Sequence, residues 1–373
     1  MILARQIVGQ PVQLGKSQRF FFRNDRILTF QFSRRNRNGT CFTQQECADK
    51  GGLASGNCAA GFGVCCLFVI TDGSSTISQN CTYIQNPGFP SVYSSTSGLT
   101  YTVAKCSSDV CSLRLDFETF SILGPGSTLE DAAHTCLDTF TVTGTSGQST
   151  PVICGMNSGQ HIYMDVGPAE GATGIITFNF ATTSSTSRQW EIKVTQIPCW
   201  QSRGRDSGCL QYHTGITGRF ESFNFQEPTS TSQMHLESQD YDICIRQEDG
   251  YCCIRYSLCP DDRSWAINNA AAAANMALSG SKCTADYVGI EGVSQQCNSA
   301  SNGVQVNKIC GSAFGISDGA ILEVSGDTAY VCGKIYLGMV CTILWTEPFY
   351  SFYRLHCSLP CSYSYQRSGR SYT

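Results

Sequence analysis

The sequence predicts an all-β chain stapled by disulfides, and three observations predict it. Twenty-three of the 373 residues are cysteine, far more than a reduced cytosolic chain carries, which points to a disulfide framework in a secreted protein. Between the cysteines run short segments in which apolar and polar residues alternate, the period of a half-buried strand. The third observation is a repeat. "CLDTFTVTG" at 136–144 and "CTADYVGIEG" at 283–292 each open with a cysteine and an acid close by, and each is followed by "ICG", at 153–155 and 309–311.

Composition excludes several classes. Charged residues make up 14% of the chain, too few for a coiled coil or a charge-rich disordered protein. The length allows two or three domains at roughly 100–200 residues each. Zinc competes with disulfides for the cysteines, but zinc sites need close ligand pairs at C-x2-C or H-x3-5-H spacing. Here Cys65–Cys66 and Cys252–Cys253 are adjacent, the wider spacings are irregular and the five histidines are scattered, so disulfides are favoured. An odd count leaves at least one thiol unpaired, bound to another chain, or lacking its partner. The apolar run "IYLGMVCTILW" at 335–345 is half the length of a membrane span and is expected as buried core.

The elements follow in order. Residues 1–40 hold eight basic residues against one acid, about +7 within a chain of net charge −4, and are expected as a disordered basic segment. Their apolar stretch is interrupted by Arg5, Gln6, Gly9 and Gln10, which breaks a signal-peptide core. The expectation is an incomplete N-terminus, with the export signal outside the sequence. Residues 41–72 form a cysteine-dense unit too small to hold its shape without cross-links, and "TDGSSTISQ" after it is expected as a linker. Residues 80–199 contain six alternating runs, among them "SLRLDFETF", where Leu113, Leu115, Phe117 and Thr119 would share one face and Arg114, Asp116 and Glu118 the other. Residues 200–345 repeat the theme less regularly, with one helical candidate, "SWAINNAAAAANMALSG" at 264–280. The tail 346–373 has no period.

These motifs carry a resemblance. "NCTYIQNPGFPSVY", "LRLDFETF", "CLDTFTV" and "ICG" make residues 80–199 resemble a CUB domain, an extracellular β-sandwich of jelly-roll type. The cysteine unit followed by "NCTYIQNPGFP" is similar to the front of secreted arthropod CUB proteins. "GCLQYHTGITGRFESFNF" with "YDICIRQEDGYC" is similar to their second, more divergent module. The implied fold is two CUB-type sandwiches in tandem behind a small disulfide-rich unit.

The resemblance implies the disulfides Cys136–Cys154, Cys283–Cys310 and Cys81–Cys106, with Cys111 left over. It implies calcium as the cofactor, bound by Asp138 beside the cysteine and by Asp165 in a later loop, although the expected Glu is replaced by "FSILGPG". Calcium suits such a cluster because it takes six to eight oxygens at flexible distances. The second copy offers Asp286 and Asp318. The plainer alternative is that each Asp hydrogen-bonds a turn beside its strand.

Other motifs weigh less. "AAHTC" with His134 and "RDSGC" with Ser207 imitate serine-protease signatures, but the two lie too close in sequence for a two-barrel protease and no Gly pair precedes the serine. His161, His213, His235 and His356 stand alone and are expected to be structural. Asn38-Gly-Thr and Asn80-Cys-Thr are N-glycosylation sequons. The expected function is recognition of extracellular proteins or glycans, without catalysis, nucleic acid or a membrane span. The contacts would lie in loops 124–135 and 165–174 and around Asp286. The alternative is a structural component of matrix or cuticle.

Overall fold

A computed structural model describes residues 11–12, 37–125, 135–145, 147–181, 187–202, 208–225, 236–246, 248, 253–257, 265, 267, 277–284, 286–293, 306–311, 313–314, 322–325, 333–334 and 340–345. Their regular structure is mostly β-strand, and they fall into two compact units. One comprises Met1–Tyr212, Glu221–Ile243 and Lys334–Leu337; the other comprises His213–Phe220, Cys244–Gly333 and Gly338–Thr373.

In the first unit the strands are β1 (Pro11–Val12), β2 (Gly39–Phe42), β3 (Leu53–Cys58), β4 (Gly63–Ile70), β5 (Thr76–Ile77), β6 (Thr82–Gln85), β7 (Leu99–Ala104), β8 (Val110–Ser121), β9 (Thr139–Gly144), β10 (His161–Asp165), β11 (Thr173–Asn179) and β12 (Gln189–Pro198). One sheet runs β1-β2-β4-β6-β12-β8-β10 with β3 also on β4, and the second runs β5-β7-β11-β9. Alternation turns one row of each strand inward. Leu113, Leu115, Phe117, Ile192 and Val194 of the first sheet are buried, as are Tyr101, Val103, Phe140, Val142, Ile176 and Phe178 of the second. The centre is aromatic: Phe140 meets Phe178 edge-on at 4.9 Å and Phe178 stacks on Trp190 at 4.6 Å, contacts worth about 0.5–1.5 kcal/mol each beyond area burial.

The face expected for β8 changes partway. A bulge against β12 pairs Ile192 with Phe117 and Glu191 with Thr119, so Glu118 has no partner across the ladder. The extra residue reverses the alternation. Phe120, not Thr119, then points inward and is fully buried.

The cysteine unit is not held apart by a linker. Its strand β4 adds in parallel to β6, Phe68 opposite Thr82, so unit and sandwich share one sheet. "TDGSSTISQ" is an ordered crossover: Asp72 Oδ1 accepts the amides of Ser74 and Ser75 at 3.2 Å, and β5 pairs in parallel with β7. A short helix, Gln44–Asp49, starts at a capping box in which Thr43 and Glu46 accept each other's backbone amides. The pattern T-x-x-E marks it in the sequence. Of the expected disordered arm, Arg37 and Asn38 are ordered against Glu191 and Tyr83.

The second unit has a four-stranded sheet in the order Thr217–Phe220, Val340–Trp345, Cys253–Ser257, Leu322–Ser325. A three-stranded sheet has Val306–Gly311 between Ala277–Ser279 and Val288–Val293. The helix expected over 264–280 does not reach its end: Ala277–Ser279 is a strand, with Leu278 opposite Cys310. Pairing to a strand fixed by the Cys283–Cys310 disulfide overrides the local alanine propensity. The rest of that segment, apart from Trp265, Ile267 and Gly280, lies outside the described residues, as does the tail 346–373. Among the described residues no helix is long and apolar enough to cross a membrane.

Candidate functional site

The cysteine-and-acid start of β9 is a junction. The Cys136–Cys154 disulfide holds β9 to the returning loop, where Phe140 and Ile153 exchange backbone hydrogen bonds at 2.9 and 3.0 Å. Asp138 is thereby carried inside, with no exposed surface. Its Oδ2 accepts Arg188 Nε at 2.6 Å and the Leu123 amide at 2.8 Å. Its Oδ1 accepts Arg188 Nη2 at 2.9 Å and the Ala181 amide at 2.8 Å. A carboxylate has about four acceptor positions, and all four are filled.

Arg188 is equally buried. Two of its remaining donors reach the Ser95 and Ala181 carbonyls at 3.3 Å, and its guanidinium lies 4.8 Å over the Phe180 ring. Four segments, around 95, 123, 138 and 181, are thus joined through one ion pair. Asp138 does more than brace a turn, and nothing in the spacing of the sequence announced its partner 50 residues on. The one available signal is an arginine directly before the strand "QWEIKV".

Asp165 is not brought to Asp138. It stands opposite Ser112 at one end of β8, whereas Asp138 binds the amide of Leu123 beyond the other end. At about 3.3 Å per residue the separation is on the order of 30 Å, and one calcium ion cannot span it. The pairing of Asp138 with Asp165 as calcium ligands is corrected on that ground. Among the described residues no group of three or more His, Cys, Asp or Glu is arranged to hold a metal. Asp286 is half-buried beside Cys283; Asp318 lies outside the described residues.

The loop at 165–174 is pinned by an ammonium. Lys105 Nζ donates to the Gly167 carbonyl at 2.6 Å and the Ala169 carbonyl at 2.9 Å. Burial lowers its pKa. Pro168, Ala169 and Glu170 stay exposed on this fixed backbone. The stem of the other expected contact loop is closed by a bridge between Pro125 and Cys136; residues 126–134, His134 among them, lie outside the described residues, as does Ser207.

The disulfides Cys136–Cys154 and Cys283–Cys310 are formed. Cys81–Cys106 is not, and this expectation is corrected. Cys111 joins Cys199 instead, while Cys81 is buried and Cys106 exposed, both unpaired. Gln196 is bonded to both segments: its backbone N–H donates to Asn80 Oδ1 at 2.7 Å, and its Oε1 accepts the Cys106 amide at 2.7 Å. The two sequons meet, since Thr40 Oγ1 donates to the Asn80 carbonyl at 3.2 Å. Asn38 and Asn80 are both half-buried. His161 is buried, its Nε2 3.1 Å from the Tyr212 backbone.

Residues 206–333 match the family model of the animal CUB domain. The match covers the copy whose motifs are the less regular of the two. No curated protein matches. Similar solved structures include the MASP-1 CUB2 domain bound to Ca2+, 17% identical over 34% of this chain and 99% of that one, with a TM-score of 0.26. The CUB1-EGF-CUB2 domains of rat MASP-1 are 13% identical over 73% and 99%, TM-score 0.26. The full extracellular region of zebrafish Gpr126/Adgrg6 is 10% identical over 76% of this chain and 34% of that one, TM-score 0.27.

Proposed function

We propose that this chain is a secreted recognition protein that binds extracellular proteins or glycans through loops at the ends of its sandwiches and performs no chemistry of its own. The family-model match over residues 206–333 carries this reading. It is supported by the disulfides that staple both units and by the loop at 165–174, where Lys105 fixes the backbone and leaves Pro168, Ala169 and Glu170 outward. A preset loop loses little entropy on binding. Sugars on Asn38 and Asn80 would fit an extracellular setting.

The exposed, unpaired Cys106 favours a second reading, a structural matrix component cross-linked through that thiol. The test is recovery of the tagged, soluble protein from extracellular fluid, with a variant carrying Gly at 168–170 as control. A discrete soluble partner, lost in the variant, is expected. Recovery only from an insoluble matrix, in a disulfide-linked form, would replace the first reading with the second. Labelling by an active-site serine probe would overturn both.

A further inference from the structure

At the end of the sandwich away from Asp138, three chain segments are tied to one another. β12 ends level with the start of β8, Pro198 opposite Val110, and the Cys111–Cys199 disulfide closes that end. The Cys199 amide donates to the Asp109 carbonyl at 2.7 Å, and the Val166 and Gly167 amides donate to the Cys111 carbonyl at 2.9 and 3.1 Å. Ser112 Oγ meets Ser202 Oγ at 2.9 Å, which seats the helical turn Cys199–Ser202 against β8. Lys105 holds the loop at 165–174 from the other side.

On this fixed backbone Trp200 is 57% exposed, whereas Trp190 and Trp265 are buried. Asp109 and Glu170 are exposed on the same rim. Lys105 is the one basic residue in these three segments, and its ammonium is turned onto the Gly167 and Ala169 carbonyls. The rim therefore presents an aromatic face with negative charge around it.

The same unit shows three times what a ring and a carboxylate take together. Arg37 lies over Tyr83 and pairs with Glu191. Arg114 lies over Tyr163 and pairs with Asp116, and Arg188 lies over Phe180 and pairs with Asp138. Indole attracts a cation more strongly than either of those ring types, yet among the described residues no cation lies over Trp200 or pairs with Asp109 or Glu170.

We infer that this rim binds a basic segment of a partner protein without a metal ion, a Lys or Arg side chain lying on Trp200 with Asp109 and Glu170 as counter-charges. The inference rests on the recognition reading above and names the partner of the 165–174 loop. Residues after 40 carry about −11, a field that draws in a basic partner and repels sulfated or carboxylated glycans.

The test is calorimetric titration of the full chain with hexalysine and with heparin, in metal-free buffer at low ionic strength. Hexalysine should bind, and added salt should weaken it. Trp200→Ala should weaken it about threefold or more and Trp200→Phe by less, with urea midpoints confirming the fold. Asp109→Asn combined with Glu170→Gln should weaken it too. Trp200→Ala leaves the net charge unchanged, so its loss separates this rim from general attraction to an acidic protein. No binding of hexalysine, equal affinity in Trp200→Ala and the parent, or binding only after calcium is added would each overturn the inference. Heparin binding that Trp200→Ala abolishes would overturn it in favour of a glycan site. The recognition reading fails separately, when extracellular fluid yields no partner that the variant with Gly at 168–170 loses.

Discussion

The side chains of Arg188 and Asp138 meet through two hydrogen bonds, Nε to Oδ2 at 2.6 Å and Nη2 to Oδ1 at 2.9 Å, with neither group exposed to solvent. Two amides and two further carbonyls add to the pair, so four hydrogen bonds hold each group. Removing one partner of such a pair leaves an uncompensated buried charge, at a cost of about 3–5 kcal/mol, whereas replacing both by apolar groups of similar size is often nearly neutral.

Arg188→Met should therefore destabilise the first unit by about 3–5 kcal/mol, and Asp138→Leu by a similar amount, while the double replacement recovers much of the loss. Here the recovery is incomplete, because the Leu123 and Ala181 amides lose their acceptor. Urea unfolding of the four proteins, followed by the fluorescence of buried Trp190, measures the coupling. Additive losses would show that the pair does not act as a unit.

Calcium should not compete for this carboxylate. An ion at Asp138 would have to displace a guanidinium and two amides together, so calcium addition and chelation should leave the unfolding of the Trp190 core unmoved. A calcium-dependent shift that Asp138→Asn abolishes would show that Arg188 yields to the ion.

How much of this the sequence carried differs from one link to the next. Period-two runs placed β7, β8, β9, β10, β11 and β12 because a sandwich strand buries alternate residues, and that regularity is local. The bulge at Glu118 escaped because it depends on where β12 chooses its register. Arg188 escaped for the same reason: an arginine before a strand has no mark of burial until the fold supplies Asp138 from 50 residues away. Cys81 and Cys106 have a plausible spacing, yet both are unpaired and the nearby Cys111 bonds Cys199, a partner 88 residues on that no local spacing shows. The parallel pairing of β4 with β6 was hidden by a Gly/Ser/Thr stretch whose composition suits a linker and a crossover equally.

The two disulfides at the ends of the sandwich should differ in weight. Cys111–Cys199 spans 88 residues and Cys136–Cys154 spans 18. The chain-entropy model assigns about 4.5 kcal/mol to the longer loop and about 3 kcal/mol to the shorter. Alanine replacement of each pair, with the remaining bridges intact, should cost more at Cys111/Cys199. The reverse order in urea midpoints would mean that strain or residual unfolded-state structure outweighs loop length.

Glu118 gives the unit a pH dependence opposite to that of an ordinary paired carboxylate. Glu118 stands exposed on the outer face of β8, yet desolvation by the surrounding protein raises its pKa above 4.5, with Lys193 opposing and Asp116 and Glu191 adding to the rise. The folded state thus holds this proton more tightly than the unfolded chain. The contribution is greatest below about 4.5 and is lost as pH rises through the folded pKa. Glu118→Gln, which keeps the neutral shape, should gain stability relative to the parent between pH 4 and pH 7. A constant difference in urea midpoint across that range would refute the shift.

Gly155 tests how the segment at 221–225 is seated on the first sandwich. Its φ is +75°, and an added Cβ would stand 1.7 Å from Asn224 Oδ1 and 2.4 Å from its Cγ. Asn224 cannot simply swing aside, since its amide donates to Asn157 Oδ1 at 2.7 Å and its Oδ1 accepts the Met156 amide at 3.2 Å. Gly155→Ala carries backbone strain of order 1 kcal/mol for the left-handed conformation, and the collision adds to it. In an Asn224→Gly background only the strain remains, so the same substitution should cost measurably less there. Equal costs in the two backgrounds would mean that Asn224 does not rest on Gly155, and that the 221–225 segment is not seated on the sandwich at this point.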